Sequence, residues 1–274
     1  MKARIRAGTR ECIVDLARAV SLAAEMRFTG EGPRHFGAPA AAAHSLVLPA
    51  FSGSVATGAS CNCSTITLTP HCNGTHTESV GHLTLQALDA FRIVPLGPVL
   101  AVLVTVVPER ASDAADSGVA QSQPPDRLIT PRLLAAAWSA HARAMSSIRA
   151  LVIRTSPNPK SKLDRTDTTP PYLSPEAALW IVEQGIEHLI VDLPSVDRLE
   201  DEGRLAAHRA FFGLPAGVRE LDQARRARCT ITELAYVPDE VPDGEYLLEL
   251  QVPAIAGDAV PSRPLLYALE AESP

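Results

Sequence analysis

The residues best suited to chemistry lie in one short segment, 71–82. Within twelve positions it holds five side chains of types that bind divalent metal ions: His71, Cys72, His76, Glu78 and His82. Imidazole nitrogens, thiolates and carboxylates are the ligands that zinc and similar cations take in proteins. Because His76 and Glu78 are two residues apart, a β-strand would point both toward one ion. The segment predicts a metal-centred hydrolytic site, and the alternative is a polar loop with solvated histidines.

The surrounding sequence predicts the elements that must position these side chains. A half-buried strand is expected just before the segment, at Ser64–Leu68, and a helix is expected to begin within Gly81–Phe91. The apolar run Val99–Val107 predicts a central strand. Further strands are predicted at Glu11–Leu16, Ala150–Arg154, His188–Asp192, Glu245–Val252 and Leu265–Leu269.

Three helices are predicted between these strands. Leu133–Met145 and Glu200–Phe212 have helical spacing. The third is expected to start after the cap residue Ser174, with proline and glutamate in its first turn, and to stop at Gly185. Since helices and strands alternate without a break in composition, we predict one α/β domain over residues 1–274.

Composition excludes several classes of protein. The chain of 274 residues is 46% hydrophobic and 20% charged, with a net charge of −6 and no long run of Lys and Arg, which disfavours a nucleic-acid surface. No apolar stretch reaches the roughly 18–20 residues of a membrane span, and no apolar signal-peptide core follows the basic N-terminal residues. We therefore expect a cytoplasmic protein without a membrane or nucleic-acid partner. Five unevenly spaced cysteines do not predict a disulfide framework.

The spacing of the segment resembles a family signature. Gly74-Thr75-His76-x-Glu78, followed by His82, resembles the pattern His-x-Gly-Thr-His-x-Asp-x-Pro-x-x-His, or a close variant of it, of the metal-dependent cyclase and kynurenine formamidase (arylformamidase-like) family. Segments 171–178, 185–197, 232–246 and 256–263 resemble further motifs of that family. The resemblance extends from about Asp15 to Leu269, nearly the whole chain.

The resemblance implies a fold, a centre and a reaction. The fold is a swivelling β/β/α domain, and the centre holds one or two divalent ions, zinc first and manganese as the alternative. His76 and Glu78 match metal ligands, His82 matches the proton-transferring histidine, and His208 and Glu233 match distal ligands. The reaction is water attack on an amide-like or lactam carbonyl of a small molecule, and the family further suggests a homo-oligomer.

The chain departs from the family pattern at identifiable positions. Cys72 stands where the first histidine is expected and His71 is one residue away, so either is a candidate ligand. Glu78 replaces an aspartate, and the proline of the signature is absent. The interval from His208 to Glu233 is longer than the family's, which predicts an insertion at 214–227. Arginines at or near the insertion predict a solvated face, or else contact with an acidic substrate or partner subunit: Arg219, Arg225, Arg226 and Arg228.

Three functions are compatible with these residues. The first is metal-dependent hydrolysis of a small amide, formamide or lactam, that is, of a C–N bond other than a peptide bond. The second is cyclisation or dehydration on the same site, and the third is a binding protein with a degenerate metal site.

Overall fold

The computed structural model describes residues 1–8, 10–115, 122–123, 125–141, 147–164 and 169–271. In chain order the strands of these residues are β1 Lys2–Ala7, β2 Arg10–Asp15, β3 Val20–Ser21, β4 Ala42–Ser45, β5 Val47–Leu48, β6 Phe51–Ser52, β7 Ser64–Thr67, β8 His76–Glu78, β9 Val99–Val106, β10 Glu109–Arg110, β11 Arg127–Ile129, β12 Ile148–Thr155, β13 Tyr172–Leu173, β14 His188–Val191, β15 Thr230–Glu233, β16 Gly244–Gln251, β17 Ala259–Pro261, β18 Arg263–Ala268 and β19 Glu270–Ala271. The α-helices of the same residues are α1 Pro70–Asn73, α2 Pro131–His141, α3 Pro175–Glu183 and α4 Ala206–Phe212.

A mixed sheet dominates the described residues. Its nine strands run in the order β17-β8-β15-β14-β12-β9-β16-β18-β3. The four inner strands from β15 to β9 are parallel, and the strands on either side of them pair antiparallel. The α/β class predicted from the sequence is therefore confirmed.

Both faces of this sheet are covered, which explains its uninterrupted apolar strands. Alternate residues of β9 face opposite sides: Val102 and Val104 pack with α2, α3 and α4, whereas Ala101 and Leu103 pack with Leu22 and the 235–241 segment. The main core thus lies between the helices and the parallel strands, and the site strand β8 is near one edge.

The predicted strands agree with the observed ones to within two residues at each end. Helix α3 also begins and ends as expected: the Ser174 hydroxyl accepts a hydrogen bond from the Ala177 N–H, and Gly185 has the left-handed φ of 77° that glycine tolerates. Helix α2 begins at Pro131, and positions 142–145 of its predicted range lie outside the described residues.

The prediction of a helix from Glu200 was wrong, because α4 begins only at Ala206. Side-chain hydrogen bonds hold the preceding residues in a turn: the Asp201 carboxylate accepts from the N–H groups of Gly203 (2.8 Å) and Leu205 (2.5 Å). Such side-chain bonds to nearby backbone compete with helix formation.

The expected helix in Gly81–Phe91 was also wrong, since 3₁₀ turns form at Val80–Leu83 and Ala90–Arg92. Ser79 fixes this loop: its hydroxyl accepts from Gly81 N–H at 3.0 Å and donates to the Leu88 carbonyl at 2.5 Å. A side chain at Gly81 would meet the Leu88 backbone at 2.9 Å, so the loop requires glycine there.

Residues 214–227 form a loop, with a 3₁₀ turn at Leu221–Gln223, that packs beyond the C-terminal end of α4. It is tied to the segment after His82, because Leu85 N–H donates to the Arg219 carbonyl at 2.8 Å and Leu221 N–H to the Gln86 side chain at 2.9 Å. That this loop is an insertion stays a prediction.

Among the helices of the described residues, none combines the length and the apolar character needed to cross a bilayer.

Candidate metal centre

Strand β8 presents the two central donors. It lies between β15 and β17, with His76 opposite Glu233 and with Glu78 opposite Ile231 and Ala259. His76 and Glu78 share one face, as alternation along a strand requires, and both are fully buried. The antiparallel register of β8 and β15 therefore brings Glu233 to His76 from 157 positions away in the sequence.

Two of the histidines are fixed in the tautomer that a metal ligand needs. His76 Nδ1 lies 3.0 Å from the Gly74 carbonyl, and His208 Nδ1 lies 2.6 Å from Asp197 Oδ2. Because Nδ1 of each ring is taken up by these acceptors, Nε2 is the nitrogen that each ring presents to the cluster. A hydrogen bond of this kind orients metal-bound histidines and strengthens their basicity.

Two buried glutamates face these Nε2 atoms. His208 Nε2 is 2.8 Å from Glu78 Oε1 and 3.5 Å from Glu233 Oε1, and His76 Nε2 is 3.5 Å from Glu233 Oε2. Glu233 is held in place by the Val196 N–H, which donates to its Oε1 at 2.8 Å.

An outer group lies at the more exposed side of the same cluster. His71 bridges two carboxylates, with Nδ1 3.0 Å from Glu78 Oε2 and Nε2 2.9 Å from Asp258 Oδ2. His82, which is partly exposed, has Nδ1 3.4 Å from the same Asp258 oxygen and its ring centre 4.2 Å from that of His71. Asp258 thus links the two outer imidazoles.

Mutual electrostatics keep these groups ionised although they are buried. Burial opposes the charge on Glu78, but His208, His82 and His71 hold the pKa of its carboxyl well below the usual range. Burial likewise opposes protonation of His208, yet Glu78 and Asp197 raise its pKa well above the usual value. Despite burial, the carboxylates of Asp258 and Glu78 raise the pKa of His71 to about 10, and bonds from His71 and His82 lower the pKa of Asp258.

The donor set fits a divalent cation. Among the described residues, four buried atoms of this cluster lack a hydrogen-bond partner: His76 Nε2, His208 Nε2 and both carboxylate oxygens of Glu78. Unpaired buried polar atoms are costly, and a cation would satisfy all four. Three groups of donor atoms lie within 4.8 Å of one another: His71, His76 and Glu78; Glu78, His208 and Glu233; and His71, His82 and Asp258.

The structure brings together all the predicted site residues except Cys72. His76, Glu78, His82, His208 and Glu233 lie in one cluster, whereas the Cys72 thiol joins none of the three donor groups found in the described residues. Burial and the charge of Glu233 raise the pKa of Cys72, which disfavours the thiolate that a metal requires. His71 occupies that part of the cluster instead.

Sequence reasoning missed two carboxylates of the cluster, Asp197 and Asp258. Asp197 ends the motif at 185–197, and its carboxylate accepts hydrogen bonds from the N–H groups of Ala207 (2.7 Å) and His208 (3.0 Å) at the start of α4. Its contact with the His208 ring gives it a second role. Asp258 was given no role, although the motif at 256–263 was the one signal that marked it.

A cavity of about 400 Å³ lies next to the cluster, lined by residues 34–38 and by Leu199. The lining turn is attached to the metal segment, because the Asn73 amide donates to the carbonyls of Pro33 (3.1 Å) and Pro39 (3.0 Å). The 3₁₀ turn at His35–Gly37 contacts α1, the helix that carries His71, so the cavity and the cluster are neighbours. Phe36 is exposed in this turn and adopts a φ of 57°.

Comparison with known proteins places this chain in a family. Residues 14–198 match the sequence model of the Cyclase family, described as "Putative cyclase". A kynurenine formamidase from Bacillus cereus is 30% identical over 123 residues, which are 44% of this chain and 51% of that protein. The chain thus spans about half the length of the curated relatives it matches.

Solved structures show the same fold at low sequence identity. Isatin hydrolase A from Ralstonia solanacearum is 16% identical and has a TM-score of 0.58, with 92% of each chain covered. A structure described as a novel cyclase is 17% identical, also with a TM-score of 0.58, over 92% of this chain and 89% of the other. The family match covers more than half of the sequence, so the chain belongs to the Cyclase family, and the predicted resemblance and fold are confirmed.

Proposed function

We propose that this protein is a metal-dependent hydrolase that cleaves the C–N bond of a small amide, formamide or lactam. The observation that carries the proposal is the set of four unpaired buried donor atoms of His76, Glu78 and His208, with Glu233 beside them. These atoms lie within ion-pair distance of one another, of His71 or of Glu233, yet none of them makes a hydrogen bond within the described residues, so an ion held between them would satisfy all four. Kynurenine formamidase and isatin hydrolase among the similar proteins favour a C–N bond as the target.

His76, Glu78, His208 and Glu233 would hold one ion, and His71 and Glu78 would hold a second. Glu78 can serve both because its two oxygens face different partners, His208 for one and His71 for the other. A divalent cation bound there supplies a lowered pKa for water and polarisation of the substrate carbonyl. Zinc suits the mixed nitrogen and carboxylate donors, and manganese is the alternative.

His82 is the proposed proton carrier. Asp258 accepts from its Nδ1 side at 3.4 Å, which orients the ring and leaves Nε2 to receive a proton from water and pass it to the leaving nitrogen. His82 is also suited by position, because its side chain is about 30% exposed while His76 and His208 are buried. A partly exposed imidazole can exchange protons with both substrate and solvent.

The organic part of the substrate is proposed to lie in the cavity at residues 34–38. Its volume of about 400 Å³ is in the range of small-molecule sites. Phe36 offers an aromatic surface and Arg34 a positive charge, which favours an aryl amide. We also retain the homo-oligomer as a proposal, to be tested by the mass of the protein in solution.

Cyclisation or dehydration on the same centre is the second candidate. The same metal ligands and the same proton carrier could serve the formation of a C–N or C–O bond as well as its cleavage. A purely binding role is disfavoured by the partly exposed His82–Asp258 pair, which a degenerate site has no reason to keep.

The test is turnover of formanilides, lactams and cyclic imides by the zinc- and manganese-loaded protein, followed as acid release. We expect activity on at least one class, and His82→Ala is expected to lose about 10²–10⁴-fold in kcat while binding the metal normally. His44→Ala, at an exposed histidine outside the cluster, is the matched control and should keep full turnover.

Two results would contradict the proposal. Less than about a tenth of an equivalent of bound zinc or manganese after loading would remove the metal centre itself. Full turnover of His82→Ala would leave the hydrolase standing but eliminate the proton-carrier role.

A further inference from the structure

A second cavity, separate from the metal cluster, lies between α4 and the 214–227 loop. Its volume is about 730 Å³. Four arginines line it, and none of the described residues in its lining is acidic: Arg204, Arg209, Arg219 and Arg225. A concave surface with charges of one sign concentrates ions of the opposite sign.

Arg209 places a fixed positive charge in the wall. Its Nε donates to the Arg204 carbonyl at 3.1 Å, and its Nη1 donates to the carbonyls of Pro215 (2.9 Å) and Val218 (2.8 Å). These neutral acceptors orient the guanidinium without neutralising it, and Nη2 takes part in none of these bonds. The cavity therefore has a rigid cation before any ligand arrives.

Two further guanidinium groups are available to a ligand. Arg219 and Arg225 are exposed, and in the described part of the chain no ion pair or hydrogen bond of either side chain is present. Arg204 differs from them, because its Nη2 forms an ion pair with Glu202 Oε2 at 2.5 Å. Guanidinium groups bind carboxylate and phosphate through two parallel hydrogen bonds, which makes free arginines on a concave wall suited to oxyanions.

The rest of the lining is apolar or small. Leu179, Ala206, Ala210, Leu214 and Pro215 contribute carbon surface between the arginines. Gly203 and Gly217 complete the lining, and a side chain added at either would meet no atom within 4 Å. A bare inorganic anion would leave most of this surface in contact with water.

We infer that this cavity is a binding site for an organic oxyanion, a molecule with a carboxylate or phosphate head and an apolar body about the size of one ring. The head would contact Arg219 and Arg225 beside the fixed charge of Arg209, and the body would cover Ala210 and Leu214. The site is independent of the proposed hydrolytic activity, because none of these residues belongs to the metal cluster.

The experiment is a calorimetric titration of the full chain with phenyl phosphate, benzoate, sulfate and benzyl alcohol. We expect saturable binding of phenyl phosphate or benzoate with a Kd at or below about 1 mM, and binding of sulfate and benzyl alcohol at least about tenfold weaker. The stronger of the first two identifies the head group. The double variant Arg219→Gln/Arg225→Gln should weaken binding about tenfold or more, with unchanged thermal unfolding, since neither side chain holds the fold together.

Arg228→Gln is the matched control, because Arg228 is exposed directly after the 214–227 loop but does not line the cavity. It should keep the affinity within about twofold. An equal loss in Arg228→Gln would show that only overall charge matters and would overturn the site. Absence of saturable binding by both organic anions, or sulfate binding as tightly as they do, would overturn it as well.

Discussion

His71 and Cys72 are neighbours in the chain, yet only one of them is placed to hold a metal. The short helix α1 directs His71 between Glu78 and Asp258, whereas the Cys72 thiol is buried apart from the donor groups. Because adjacent residues of a helix point about 100° apart, one residue of register decides which side chain serves. At the scale of single residues, the direction in which a side chain points therefore decides whether it belongs to the site, and residue type alone does not.

Substitution of the two neighbours should separate their roles. We expect His71→Asn to lower zinc affinity about tenfold or more, because it removes a donor, and Cys72→Ser to change affinity by less than about threefold. Competition with a chromophoric chelator measures both. Cobalt-loaded protein offers an independent check, since absorption from a thiolate–cobalt bond that disappears in Cys72→Ser would contradict the assignment.

Asp197 supports the site through His208, so its removal should affect the metal more than the fold. Asp197→Asn is expected to lower metal affinity about 10–100-fold, because the His208 ring loses the acceptor that orients it. The matched control is Asp201→Asn, which perturbs the turn before α4 without touching His208. If both variants lose affinity equally, Asp197 acts only by forming the start of α4.

At the scale of elements, the parallel strands carry buried groups whose ionisation is suppressed. His188 on β14 is buried, with Nδ1 2.9 Å from the Thr230 hydroxyl of β15. Burial lowers its pKa to about 4, so the folded protein keeps it neutral. The unfolded chain has an ordinary value near 6.5 and takes up the proton earlier as the pH falls.

The sign of the resulting pH dependence follows directly. Between about pH 6.5 and 4 the unfolded state binds up to one more proton at this position than the folded state. The free energy of unfolding therefore falls as the pH is lowered, by up to about 1.4 kcal/mol per pH unit. We expect His188→Gln to remove that slope, measured by urea unfolding across this range. His44→Gln, at an exposed histidine, should keep it. Parallel curves for wild type and His188→Gln would show that His188 does not contribute.

The turns around the site are also decided at this scale. Ser79-Val80-Gly81 stands where the family pattern has its proline, and hydrogen bonds of Ser79 with close backbone packing at Gly81 fix the loop before His82. Contacts with Leu88 therefore hold this loop, whereas a proline would hold it by fixing the backbone φ angle.

At the scale of the whole molecule, the metal cluster connects distant parts of the fold. Its donors come from α1, β8, α4 and β15, with Asp258 just before β17. An ion bound by all of them requires the folded sheet and helix together, so binding and folding are coupled.

This coupling predicts stabilisation by metal. Zinc at about 100 times its Kd should raise the free energy of unfolding by about 2.7 kcal/mol relative to chelator-treated protein, seen as a higher Tm. Glu233→Gln should lose most of this gain, whereas Glu240→Gln, exposed in the same region, should retain it. A Tm that does not respond to zinc would contradict the cluster as a metal centre.

The amino-acid sequence by itself determined the strands, the α/β class and the donor types on β8. An apolar run such as Val99–Val107 indicates a strand in a sheet that is covered on both faces. The two-residue spacing of His76 and Glu78 places both side chains on the same face of a strand. The motifs also indicated the family, and the resemblance implied His208 and Glu233 as further ligands. These features depend on local pattern, which is present in the chain before it folds.

Only the tertiary structure decided which side chains meet. Strand register sets Glu233 opposite His76, the late start of α4 turns the His208 ring onto Asp197, and β17 brings Asp258 to His71 and His82. The arginine cavity likewise exists only because the 214–227 loop folds against α4. Such contacts join residues far apart in sequence through packing and register, which no local pattern encodes.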